Sequence, residues 1–135
     1  MNAKRAVYRA GLLLLLAAQA AFAQAAAPKT PEDVFNPYQA EKDVEVGRYY
    51  LKEKNYDAAI ARFESAIRNK PGFAMPHKLM GEAYEGKGEP EEALRFYRLY
   101  LKILPAAQDA EKVQKRIARL EAAVKRAAAR RKTAS

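Results

Sequence analysis

The side chains that could do chemistry are few. The 135 residues hold one histidine, His77, two serines, Ser65 and Ser135, and no cysteine. Disulfides and thiolate metal sites are therefore excluded. A zinc site wants three or four converging ligands, and His77 would have only carboxylates for company. Acidic pairs such as Glu82 with Glu85, or Glu91 with Glu92, sit at spacings that any solvated helix face shows. No glycine-rich phosphate loop follows a strand, since no stretch reads as a strand. No catalytic residue, no cofactor site and no metal site is expected, and the chain reads as a non-enzyme. His77 itself is expected to be a packed, structural residue.

The elements that carry these side chains repeat at a fixed interval. Gly47 recurs as Gly81, Tyr50 as Tyr84, Ala59 as Ala93, Phe63 as Tyr97 and Pro71 as Pro105, each step being 34 residues. A period of that length, carried by small, aromatic and proline positions, marks stacked helical hairpins. From Gln39 the apolar residues follow the 3.6-residue helical period. Val44, Val46, Tyr50 and Leu51 form one side of a first helix, with Glu41, Lys42, Asp43 and Glu45 expected to face outward. Asn55 and Asp57 suit the start of a second helix, whose apolar face is Ala58, Ala59, Ile60, Phe63, Ala66 and Ile67. Pro71-Gly72 stops it.

The second unit is built alike. Leu79, Met80, Ala83 and Tyr84 line its first helix, Gly86-Lys87-Gly88 ends it, and Glu89-Pro90-Glu91-Glu92 opens the next. Ala93, Leu94, Phe96, Tyr97, Tyr100, Leu101 and Leu104 are expected to supply that helix's buried surface. Asp43-x-x-Val46-Gly47-x-x-Tyr50, Ala59-x-x-x-Phe63, Pro71 and His77-x-x-Met80-Gly81-x-x-Tyr84, Ala93-x-x-x-Tyr97, Pro105 together resemble the tetratricopeptide (TPR) family. Asp43 and His77 stand where its pattern has tryptophan. The resemblance covers about half of the chain. The fold expected is all-α, an α-solenoid fragment of two tandem hairpins, repeat 1 at 40–73 and repeat 2 at 74–107, plus a capping helix at 108–125.

That last helix carries Val113, Ile117, Leu120 and Val124 on one face and is otherwise basic. It reads as a solenoid cap with one face on the second hairpin and the other in solvent. Residues 126–135 hold only alanine, basic and small polar residues and are expected to fray into a disordered tail. The formal charge of +9 is unevenly placed. Residues 112–135 carry 9 basic side chains against 1 acidic, whereas 24–111 carry 13 against 15.

At the other end, residues 1–23 read as a secretory signal. Lys4, Arg5 and Arg9 precede the apolar run 11–18, and Ala21-Phe22-Ala23 offers small residues for cleavage before Gln24. An uncleaved anchor is the alternative. Residues 24–38 form a linker of alanine and proline, from which Phe35 and Tyr38 are expected to fold back onto the first hairpin. The location expected is the periplasm or cell envelope of a bacterial-type cell.

Function then rests on binding. The TPR resemblance implies a groove lined by the first helix of each unit, which takes peptides or extended segments. The positions it projects are Val44, Arg48, Leu51 and Lys52, then Met75, Lys78, Glu82 and Glu85, and from the cap Lys112, Arg116 and Arg119. Apolar and basic side chains with two acids suggest a protein or peptide partner bearing a carboxylate. Two repeats and a cap are few for a continuous core, so self-association into a structural subunit is a competing expectation. The lead-in and tandem repeats also look similar to TPR subunits of the outer-membrane barrel-assembly machinery, which are longer and lipid-anchored. A weak contact of the basic tail with anionic membrane is a further alternative. Nucleic acid is not expected, because no aromatic residues interleave the charges.

Overall fold

The computed structural model describes residues 35–133. The signal segment expected at 1–23, most of the linker, and residues 134–135 lie outside the described residues. Five helices follow in order: α1 Pro37–Lys52, α2 Tyr56–Asn69, α3 Ala74–Lys87, α4 Pro90–Ile103 and α5 Ala110–Thr133. No strand occurs among the described residues, and the all-α expectation holds. Each helix packs on the next, and α1 also touches α3, so the first helices of successive units lie side by side.

Local chemistry sets the ends. The Asn36 side chain accepts a bond from the Gln39 N–H at 3.0 Å and Pro37 takes the first helical position, so α1 begins two residues before Gln39. Proline fits there because its missing N–H would be unpaired in any case. The Asn55 side chain caps α2 through the Ala58 N–H at 3.4 Å. The turn after α3 uses Gly88 at φ 78°, and the turn after α1 uses Lys54 at φ 57°. These two residues are 34 apart, so one left-handed turn is built once with glycine and once with a residue that is strained there.

Within each hairpin a glycine lets an aromatic ring reach the partner backbone. A Cβ on Gly47 would stand 2.4 Å from the Phe63 ring, and one on Gly81 would stand 2.6 Å from that of Tyr97. Both rings are fully buried. One core joins α1, α2 and α3 through Val44, Ile60, Phe63, Leu79, Met80 and Ala83, with Phe96 of α4. A second joins α4 to α5 through Leu94, Tyr97, Tyr100, Val113 and Leu120. Three apolar residues assigned to packing stand exposed instead: Leu104 at the end of α4, and Phe35 and Tyr38, which do not fold back onto the hairpin.

The same 34-residue register explains the cap. Val113, Ile117 and Leu120 hold the positions of Leu79, Ala83 and Gly86; Val113 and Leu120 are buried against α4, with Ile117 packed beside them. The positions of His77, Met80, Gly81 and Tyr84 are Glu111, Gln114, Lys115 and Ala118, all exposed, so α5 is apolar toward the preceding hairpin and polar where a further helix would pack. At the other end, Lys42, Glu45 and Lys52 hold the positions of Pro76, Leu79 and Gly86 and are exposed.

The tail departs from expectation. Helix α5 runs unbroken to Thr133, so residues 126–133 are not a disordered segment. Alanine, lysine and arginine are strong helix formers, nothing between 110 and 133 breaks the turn, and the last-turn cations Arg130, Arg131 and Lys132 complement the helix dipole.

Candidate functional site

Helices α1, α3 and α5 carry equivalent positions that the repeat register assigns to an inner face. Steps of 34 residues give the sets Val44, Lys78, Lys112; Arg48, Glu82, Arg116; and Leu51, Glu85, Arg119. The structure brings the second and third units of this ladder into direct contact and leaves the first largely apart.

Two relays join α3, α4 and α5. In one, the Tyr97 hydroxyl donates to Glu85 Oε2 at 2.9 Å, and Arg116 reaches the same oxygen through Nε at 3.1 Å. Arg116 Nη1 also donates to Glu82 at 3.3 Å, and the guanidinium stands 5.6 Å from the Tyr97 ring centre. In the other, Lys78 Nζ donates to Asp109 Oδ2 at 2.7 Å and the Tyr100 hydroxyl donates to Oδ1. The Lys78 and Tyr100 bonds hold the Asp109 carboxyl below its usual range. Burial, with the bond to Asp109, pushes Tyr100 up to about 12. Burial likewise pushes Tyr97 well above its usual value. Both phenols therefore stay protonated as donors.

Between these relays lies a hollow of about 120 Å³ lined by Lys78, Glu82, Asp109, Lys112, Val113 and Arg116. Lys78, Glu82, Lys112 and Arg116 thus line one hollow. Lys78 and Arg116, however, are already neutralised by carboxylates of this chain. Arg48, Lys52, Lys112 and Arg119 are exposed and make no ion pair with the described residues. Val44 is placed elsewhere: at 6% exposure it belongs to the first core. Leu51 and Met75 are half-buried against the same core, each keeping an edge at the surface.

The structure adds residues that sequence reasoning overlooked. Asp109, Tyr97 and Tyr100 complete the relays. Asp43, expected on the outside, is 3% exposed and accepts bonds from Ser65 Oγ at 2.7 Å, Gln39 Nε2 at 3.2 Å and Asn69 Nδ2 at 3.3 Å. The signal was present in the repeat: Ser65 and Asn69 stand where the second unit has Leu99 and Ile103, so polar residues on α2 accompany a polar residue at the tryptophan position. His77, its counterpart in α3, is buried, with Nδ1 3.0 Å from the Phe73 carbonyl. Burial lowers its pKa, so the ring is neutral and Nδ1–H is the donor. No group of metal-ligating side chains occurs among the described residues.

Comparison with known proteins agrees with this architecture. The family model described as tetratricopeptide repeat matches residues 50–120. A probable UDP-N-acetylglucosamine–peptide N-acetylglucosaminyltransferase of Arabidopsis thaliana is 36% identical over 62 residues. That match covers 46% of this chain and 6% of the relative, so the chain spans only a small fraction of that protein's length.

Proposed function

The chain belongs to the tetratricopeptide repeat family, and from that premise we propose that it is a non-enzymatic module whose inner face holds a carboxylate-bearing segment of another protein. Tetratricopeptide repeats are an interaction fold, which supports protein binding in general. The finer reading is supported by one observation. Arg48, Lys112 and Arg119 are cations at inner-face positions with no carboxylate partner among the described residues, and Leu51 of α1 and Met75 of α3 keep edges at the surface. Unpaired guanidinium and ammonium groups together with apolar surface suit a segment carrying both a carboxylate and a hydrophobic side chain.

Lys78 and Arg116 have a different part in this reading. They hold α5 against α3 and α4, and so set the width of the face. Self-association end to end has less support, since the outer positions of α1 include Lys42, Glu45 and Lys52 and those of α5 include Glu111, Gln114 and Lys115. The match covers 6% of the plant relative, too little of that protein to carry its transferase activity to this chain. Export to the periplasm or envelope is part of the proposal and is supported by Lys4, Arg5 and Arg9 ahead of the apolar run at 11–18 and Ala21-Phe22-Ala23.

Once a partner is captured, charge reversal tests the reading. The Arg48→Glu/Lys112→Glu variant should bind it at least about ten-fold more weakly, as expected when two charge-assisted contacts become repulsive. Helicity should be retained, since both side chains are exposed. Unchanged affinity would refute the inner-face site.

A further inference from the structure

Helix α5 sorts its charges by direction. Lys112, Lys115, Arg116, Arg119, Arg126 and Arg130 fall within an arc of about 100° at 3.6 residues per turn. Of its two carboxylates, Glu111 pairs with Lys115 at the edge of the arc at 2.6 Å, and Glu121 lies on the far side. Glu121 is drawn toward α4 by Arg98 at 2.6 Å. Arg126 turns its Nε to the Ala122 carbonyl of its own helix at 3.1 Å; neither it nor Arg130 has a carboxylate partner among the described residues. Lys112, Arg116 and Arg119 belong to the inner face, so the arc begins there and continues along the exposed end of the helix. From Lys112 to Arg130 it runs about 27 Å at 1.5 Å per residue.

We infer that this arc is the outer half of one continuous track, and that its occupant is an acidic polypeptide segment running from the inner face along α5. The inference rests on the proposed inner-face site and extends it. Charge complementarity identifies the occupant as acidic. A bilayer fits less well: Val113 and Leu120 are buried and Ile117 and Val124 are packed against the second core, so no apolar face remains to insert. Single-stranded nucleic acid fits less well too, because the arc holds no aromatic ring for base stacking. Ala123 and Ala127, with Arg126 and Arg130, line a shallow depression where small side chains let a polypeptide backbone come close.

The test uses the full chain and a fluorescein-labelled peptide of about sixteen residues alternating glutamate and serine, which when extended covers the arc at about 3.3 Å per residue. Fluorescence anisotropy at about 50 mM salt keeps surface electrostatics visible. Arg126→Gln/Arg130→Gln should weaken binding roughly three- to ten-fold. Lys125→Gln/Lys132→Gln, which removes the same charge outside the arc, should change it less than about two-fold. Glutamine keeps the helix, and circular dichroism verifies this for both variants. Equal losses in the two would reduce the effect to net charge and overturn the track, as would no loss in the first. Vesicles of phosphatidylglycerol or a single-stranded DNA oligonucleotide should bind without this arc dependence; tighter binding by either, with the same dependence, would overturn the polypeptide assignment. Arg48→Gln, which removes an inner-face cation outside the arc, separates the two sites. Loss there with none at Arg126 and Arg130 leaves the inner face standing and removes the track; the reverse removes the inner-face reading and keeps the arc.

Discussion

The Tyr97 hydroxyl donates to Glu85 across 2.9 Å, and 34 residues earlier the equivalent pair is Phe63 and Leu51, which can make no such bond. The ring is buried in both hairpins, so packing is common to both and the hydrogen bond belongs to the second. The difference follows the neighbourhood. Glu85 faces Arg116 of α5, whereas Leu51 lies against the first core. Tyr97→Phe should therefore cost about 1 kcal/mol, the worth of one hydrogen bond, with the fold intact. Urea denaturation measures this, and an unchanged midpoint would mean the relay adds nothing to stability.

Lys54 and Gly88 make the same turn at φ 57° and 78°. Lysine carries a left-handed penalty that glycine escapes, partly offset by glycine's greater freedom in the unfolded chain. Lys54→Gly should stabilise the protein by about 0.5–1 kcal/mol, seen as a higher thermal midpoint. Gly88→Ala should lower it.

Asp43 is buried with its donors Ser65 and Asn69 on α2. Asp43→Ala leaves those donors without an acceptor and should cost about 2–3 kcal/mol. Replacing the whole set with the second unit's solution, Asp43→His with Ser65→Leu and Asn69→Ile, should recover much of that loss. A triple variant no more stable than Asp43→Ala would show that the two units are not interchangeable at this position.

His77 ties stability to pH. Burial holds its pKa below the ordinary 6.5, so the unfolded chain binds a proton that the folded one refuses. The stability from the neutral ring is complete above that value and drains as pH falls from 6.5 toward the lower folded pKa. Between about pH 7 and 5 the denaturation midpoint should fall, and His77→Phe should flatten that slope. The lowered Asp109 acts in the same direction but in the more acidic carboxylate range. An identical slope in His77→Phe would remove the histidine from this account.

The hairpins were legible because Gly47, Phe63 and their echoes Gly81 and Tyr97 obey one spacing, and close packing permits few residue types there. The α5 stripe of Val113, Ile117 and Leu120 was legible for the same reason. What escaped were polar residues whose partners are distant in sequence. Asp43 looks like a solvated helix residue until Ser65 and Asn69, 22 and 26 residues on, are seen to face it. Lys78 and Arg116 look like free groove cations until Asp109, Glu82 and Glu85 are placed beside them. The helix through 126–133 looks like a tail because it lacks apolar periodicity, although its alanines and cations favour helix without any partner.

Site-specific photo-crosslinking decides whether the inner face holds a partner. A crosslinking residue placed at Arg48, at Arg119, or at the exposed Lys102 of α4 in cells making the full chain reports what lies within reach of each. The same discrete protein adduct should form from positions 48 and 119, be lost when Lys112→Glu is added, and be absent from 102. Adducts of equal yield from all three positions, indifferent to Lys112→Glu, would contradict the inner-face site.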